Sequence, residues 1–306
     1  MKNRPIIITI FLISILAVIP IVCLAGSQVT SSAIPVPPAM ANLPTIKAEP
    51  WVQIDPGPGV FIEGPAFNRQ GDLYIVSTGL AFHKDGRLFV ACISGEILSM
   101  NADGSNPTFY KVRTNGKPAT PNDCVFDSKG NLYVTDWSGT VPNPAGGIYR
   151  YSKDFKSVVP VVQGLAAPNG IGIAPEGNVL WVGEMLRNGL VRIEVMEDGV
   201  TLPPITPISY PYYFSGHPGP DGMTIDGKGH VYQAMNFQGR VVILRAGIPV
   251  AQVLIPGRDE GKYLRVTNLA FKPGTADAYI TLSGNGGAWV YKFRGLAEGL
   301  KLFSHQ

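Results

Sequence analysis

The sequence predicts an all-β fold, a six-bladed β-propeller over residues 51–306 whose first blade is incomplete. One β-hairpin pattern recurs six times, most copies lie one four-stranded sheet apart, and the composition suits short strands joined by turns. Glycine (36) and proline (27) are abundant and only 15% of residues are charged, too few for a set of solvated helices.

Each copy is a short apolar strand, a turn with glycine, and a second apolar strand rich in Leu, Val and aromatics. The copies are PAFNRQGDLYIVS (65–77), LAFHKDGRLFVAC (80–92), CVFDSKGNLYVTD (124–136), IGIAPEGNVLWVGE (171–184), MTIDGKGHVYQAM (223–235) and LAFKPGTADAYITL (269–282). The turn positions are Gly71, Gly86, Gly130, Gly177, Gly229 and, in the last copy, Ala276. Four intervals are 44, 47, 52 and 47 residues, enough for four strands each, whereas the first is 15 and leaves no chain for the outer half of blade one.

The ends and charges set the compartment and exclude partners. Lys2 and Arg4 precede an apolar stretch, Pro20 and then Val-Cys-Leu-Ala-Gly, so residues 1–26 read as a secretory signal cut after Ala25 or Gly26. The alternative is an uncleaved membrane anchor, because Pro5 to Ala25 is nearly long enough to span a bilayer. A cleaved chain is secreted or periplasmic, with no stable membrane insertion. Residues 27–50 read as a disordered, proline-rich linker. The net charge of +3 contains Lys2 and Arg4, so the body carries +1 and no basic run, which argues against nucleic acid. Cys23 leaves with the signal. Cys92 and Cys124 read as two buried thiols, with a single disulfide as the alternative.

Eight residues before each turn position stand Glu63, Thr78, Asn122, Asn169, Asp221 and Asn268, all with a side-chain oxygen and all at the start of an innermost strand. Asn or Asp before Gly is commonly a turn residue. Equal register around a closed ring instead points to one mouth of the channel. Two carboxylates with two amides suit Ca²⁺, with Mg²⁺ or Mn²⁺ as substitutes, and not a thiol-bound metal. No nucleophile elbow, zinc-helix motif, Cys-x-x-Cys or phosphate-cradling loop occurs. His217, Trp137 and Tyr213 are candidate pocket residues, with loop or aromatic packing as their alternative role.

The strings VPNPAGGIYRYSKDF (141–155), YYFSGHPGPDG (212–222) and LIPGRDEGKYLR (254–265) resemble the calcium-dependent lactonases of the SMP-30, gluconolactonase and luciferin-regenerating enzyme family, in particular its bacterial drug-responsive branch. The resemblance implies a propeller that hydrolyses a small-molecule lactone. It implies Ca²⁺, or Mg²⁺, Mn²⁺ or Zn²⁺ in its place, held by Glu63, Asn122, Asn169 and Asp221, with Asp221 also the catalytic acid/base. A second, structural calcium is expected to be lost, since TNGKPAT (114–120) lacks acidic and aromatic ligands. Thr120 stands where sugar-binding members carry Arg, so a sugar lactone is not favoured. The competing function is a non-catalytic, calcium-stabilised binding propeller.

Overall fold

The structure is a computed structural model that describes residues 9–10, 35–57, 60–114 and 117–306. Six innermost strands, Glu63–Phe67, Leu80–Phe82, Pro121–Phe126, Pro168–Ile173, Pro220–Ile225 and Arg265–Phe271, pack side by side in a closed ring. Each is followed by its hairpin partner, and the turn glycines Gly71, Gly86, Gly130, Gly177 and Gly229 all have positive φ, the conformation such tight turns require. Where an Asp opens the turn it also locks it: Asp127 Oδ1 accepts from the backbone N–H groups of Lys129 and Asn131.

Burial grades outward from the ring. A second strand such as Leu88–Cys92 is buried along its whole length because its sheet is covered on both faces, which is why it reads as a continuous apolar run. The outermost strand of the same sheet, Thr108–Lys111, is mostly exposed and mixed in composition.

The blade count departs from the sequence expectation of six. Five sheets are complete with four strands radiating from the ring. The last is closed by Glu49–Asp55, which pairs antiparallel with Gly287–Arg294. In the sixth position there is only the hairpin of Glu63–Phe67 and Leu73–Val76. Its outer edge pairs with Thr9–Ile10, in parallel, where a blade would continue antiparallel. The 15-residue spacing is the physical reason: the next hairpin begins at Leu80 before a third strand can form.

Within the expected disordered linker over 27–50, the described residues 35–50 take up defined structure instead. Pro38–Met40 forms a short 3₁₀ turn, and Thr45–Lys47 adds a parallel fifth strand to Ile248–Leu254. Met40 is 1% exposed and sits in the core formed by Trp181, Leu190, Phe214, Met235 and Val242. A single apolar residue has no periodicity, so the pattern search could not find it. Met40→Ala is expected to destabilise the fold by about 2–5 kcal/mol, measured by urea unfolding. A disordered linker would instead tolerate the change with no shift.

The expected signal segment apart from Thr9–Ile10, residues 27–34 of the expected linker, and Asn115 and Gly116 of the expected lost calcium site lie outside the described residues. Cys92 and Cys124 are free and buried, not disulfide-linked. Burial pushes the Cys92 thiol up to about 11 and also raises the Cys124 thiol well above its ordinary value.

Candidate functional site

The ends of the inner strands share one irregularity. Strand pairing skips a step between Glu63 and Ala66, Pro121 and Cys124, Pro168 and Ile171, and Pro220 and Met223. Such a bulge bends the strand and re-aims the side chains within it. Here the displaced steps contain or adjoin Glu63, Asn122, Asn169 and Asp221. At Gly64, with φ +53°, a Cβ would overlap the carbonyl of Thr78, so this strand end closes against the next only with glycine.

Glu63, Asn169 and Asp221 act on one another, and several oxygens among them and Asn122 have no partner. Glu63 Oε1, Asn122 Oδ1 and Asn169 Oδ1 are fully buried and accept no hydrogen bond. Asn169 and Asn236 donate to the Asp221 carboxylate, and the Asn236 bond goes to Oδ2. Burial raises the Glu63 carboxyl well above the usual range, with the charges of Asp221 and Asp123 adding to it. Asp221 rises to about 8, again chiefly through burial. Orphaned buried oxygens and mutually repelling carboxylates are costly in a protein interior. A hard divalent cation would satisfy both at once, and two carboxylates with two amide oxygens are donors of the right kind. Among the described residues no three His, Cys, Asp or Glu side chains gather to hold a metal, at this mouth or elsewhere, so a cation here would depend on the amide oxygens as well.

The fifth and sixth positions of the oxygen ring resolve differently. Thr78 is half-buried, with its carbonyl against Gly64. Asn268 is one place out of register. Phe271 aligns with Phe67 and Phe126, and counting back four residues reaches Thr267, the residue skipped in pairing between Val266 and Asn268. The Thr267 hydroxyl donates to the carbonyl of Ile62, tying the incomplete blade to its neighbour beside Glu63. Asn268 falls one step below the mouth, donating to Asp123.

Asp123 is the residue sequence reasoning missed. It occupies the column that holds Gly64, Gly79, Gly170 and Gly222 in other strands, and an aspartate among glycines was the available signal. It packs against Gly79, accepts from the Cys124 N–H, and is raised by burial to about 7. Below it lies a cavity of about 90 Å³, closed at the far end by Phe303, Ser304 and His305.

The candidate pocket residues are scattered. Trp137 directly follows the Leu132–Asp136 strand and is 36% exposed. His217 is exposed on the 214–219 loop. Tyr213 lies on the outermost strand of its sheet, three strands from the channel, stacked on Tyr210 with centroids 5.5 Å apart. Its aromatic string reads like a pocket wall, but it belongs to the outer edge of the blade.

A loop neighbouring Asp221 is held from below. Gln238 donates to the carbonyls of Ser215 and Pro218 and accepts from two nitrogens of Arg240, a buried arginine. Gln238→Glu keeps the acceptor, gives Arg240 a carboxylate and removes the donor that holds the His217 loop. The expected result is an undiminished melting temperature with KM raised about five-fold, the worth of roughly 1 kcal/mol of hydrogen bonding. Unchanged KM would show that the loop does not contact substrate.

The description SMP-30/Gluconolactonase/LRE-like region matches residues 62–284. Lactonase drp35 of Staphylococcus saprophyticus is 39% identical over 312 aligned positions, covering 90% of this chain and 95% of that protein. Lactonase drp35 of Staphylococcus aureus strain USA300 is 37% identical with the same coverage. The aligned positions outnumber the residues of this chain they take in, so these relatives carry internal residues that this chain lacks. The calcium-binding protein regucalcin from Agrobacterium tumefaciens has a similar fold, with TM-score 0.65 at 17% identity, covering 84% of this chain and 98% of that one.

Proposed function

We propose that this chain, which belongs to the SMP-30/gluconolactonase/LRE-like family, is an enzyme that hydrolyses a small-molecule lactone. The observation that carries the reading is the set of buried, unpartnered oxygens of Glu63, Asn122 and Asn169, arranged with Asp221 at one mouth of the ring. When bound there, a divalent cation, calcium in the first instance, would be held by these four residues and would supply Lewis acidity toward an ester carbonyl.

The chain's own residues do the rest. Asn236, bonding Oδ2, and Asn169 hold the Asp221 carboxylate in place, and that carboxylate takes a proton from water as general base. Asn122 and Asn169 bring neutral oxygens, so the site carries −2 from Glu63 and Asp221 rather than −4. The apolar cavity beneath and the plug at Phe303 close the channel behind the site.

The N-terminal segment supports placing the mature protein outside the cytoplasm. The test of that placement is the N-terminal residue of the protein recovered outside the cell, expected at Gly26 or Ser27. The test of function is hydrolysis of a small lactone panel, including dihydrocoumarin and γ-lactones, with and without chelator. Turnover abolished by chelator and restored by Ca²⁺ is the expected result. The missing outer strands of the first blade favour the second reading, a non-catalytic binding propeller, and no turnover with any divalent cation would establish it.

A further inference from the structure

The mouth holds a cation that the reading above does not use. Arg265 opens the Arg265–Phe271 strand two residues before Thr267, at the level of the site. Its guanidinium carbon lies 4.7 Å from the ring centroid of Phe237 and 5.6 Å from that of Phe61. Both rings belong to the site's own framework: Phe61 precedes Glu63 by two residues, and Phe237 follows Asn236, which bonds Asp221. Among the described residues the Arg265 guanidinium makes no hydrogen bond and no ion pair; it stacks on the two rings, and its charge acts on the Asp221 carboxylate from a distance.

The geometry is preset. Phe237 is held at φ +55°, a conformation unfavourable for a bulky residue that persists where surrounding contacts enforce it. Those contacts are present on the next residue. Gln238 is pinned through its amide to Ser215 and Pro218, through its side-chain oxygen to Arg240, and through its backbone carbonyl to Arg258. The same two rings remain 36% and 39% exposed, so a flat, partly apolar ligand can lie against them while meeting the guanidinium.

We propose that Arg265, clamped between Phe61 and Phe237, orients the substrate and selects lactones that carry a carboxylate. A guanidinium pairs with a carboxylate through two parallel N–H···O bonds, and stacking on aromatic faces restricts and partly desolvates it beforehand. With a divalent cation balancing Glu63 and Asp221, Arg265 is the positive charge at the mouth that remains to attract an anion. The chemical step rests on the lactonase reading, whereas the binding step does not.

The experiment compares γ-butyrolactone with its γ-carboxylate in wild type, Arg265→Lys and Arg265→Met, at saturating Ca²⁺. Binding of the hydroxydiacid formed by opening the second lactone is measured by calorimetry on the same proteins. The wild type is expected to favour the acidic lactone in kcat/KM by about ten-fold or more, with Lys intermediate. In Arg265→Met that ratio should fall about ten-fold and the diacid should bind about ten-fold more weakly. Equal ratios and equal diacid affinity across the three proteins would overturn the proposal while leaving the lactonase reading standing. Diacid binding that depends on Arg265 without turnover of either lactone would do the reverse.

Discussion

Asp221→Asn is expected to lower lactone hydrolysis by about 10²–10⁴-fold, the usual worth of a positioned general base. The substitution keeps the size of the side chain and one coordinating oxygen, so the channel should close as before. It also takes the site from −2 to −1 and weakens any cation bound there. The measurement therefore belongs at saturating Ca²⁺, beside Asn169→Ala, which removes one orphaned oxygen without touching the proposed base. At saturation the Asn169 variant should recover much of its kcat and the Asp221 variant should not. Equal recovery in both would reduce Asp221 to a ligand.

The second large effect is on stability. Buried oxygens without partners and a Glu63 carboxyl raised by its neighbours are a cost that the cation-free fold carries. A ligand that binds only the folded state at a hundred times its Kd adds about 2.7 kcal/mol by mass action. For a chain of this size that corresponds to a rise in melting temperature of about 5–10 °C. Thermal unfolding in millimolar Ca²⁺ against chelator reads it directly, and coincident melting curves would mean that these four residues are not a cation site.

The register of the inner strands was legible because a repeated hairpin is a ruler. Each inner strand is buried on both sides and cannot slip without turning its apolar residues out, so equal spacing from the turn meant equal height in the ring. The ruler failed once, at Asn268. The last turn, Lys272 to Thr275, places its glycine one residue early, and the buried Phe271 sets the register instead. Counting from the buried anchor would have reached Thr267.

Other site residues had no such ruler. Asn236 and Gln238, on a loop, and Arg265, at a strand start, act on partners in other segments, and nothing local marks them. The blade count failed for a different reason. Six hairpins are present, but a blade also needs two outer strands, and 15 residues cannot supply them. What can be counted in a repeat is its inner half.

The pairing of Glu49–Asp55 with Gly287–Arg294 bears on timing during synthesis. The last sheet needs a strand made near the beginning and three made near the end, so the ring cannot close until almost the whole chain has emerged. Contacts that span so much sequence form slowly. Permuting the chain so that Glu49–Asp55 directly follows Arg294 would turn the closing contact into a local one and let the last blade form as an ordinary unit.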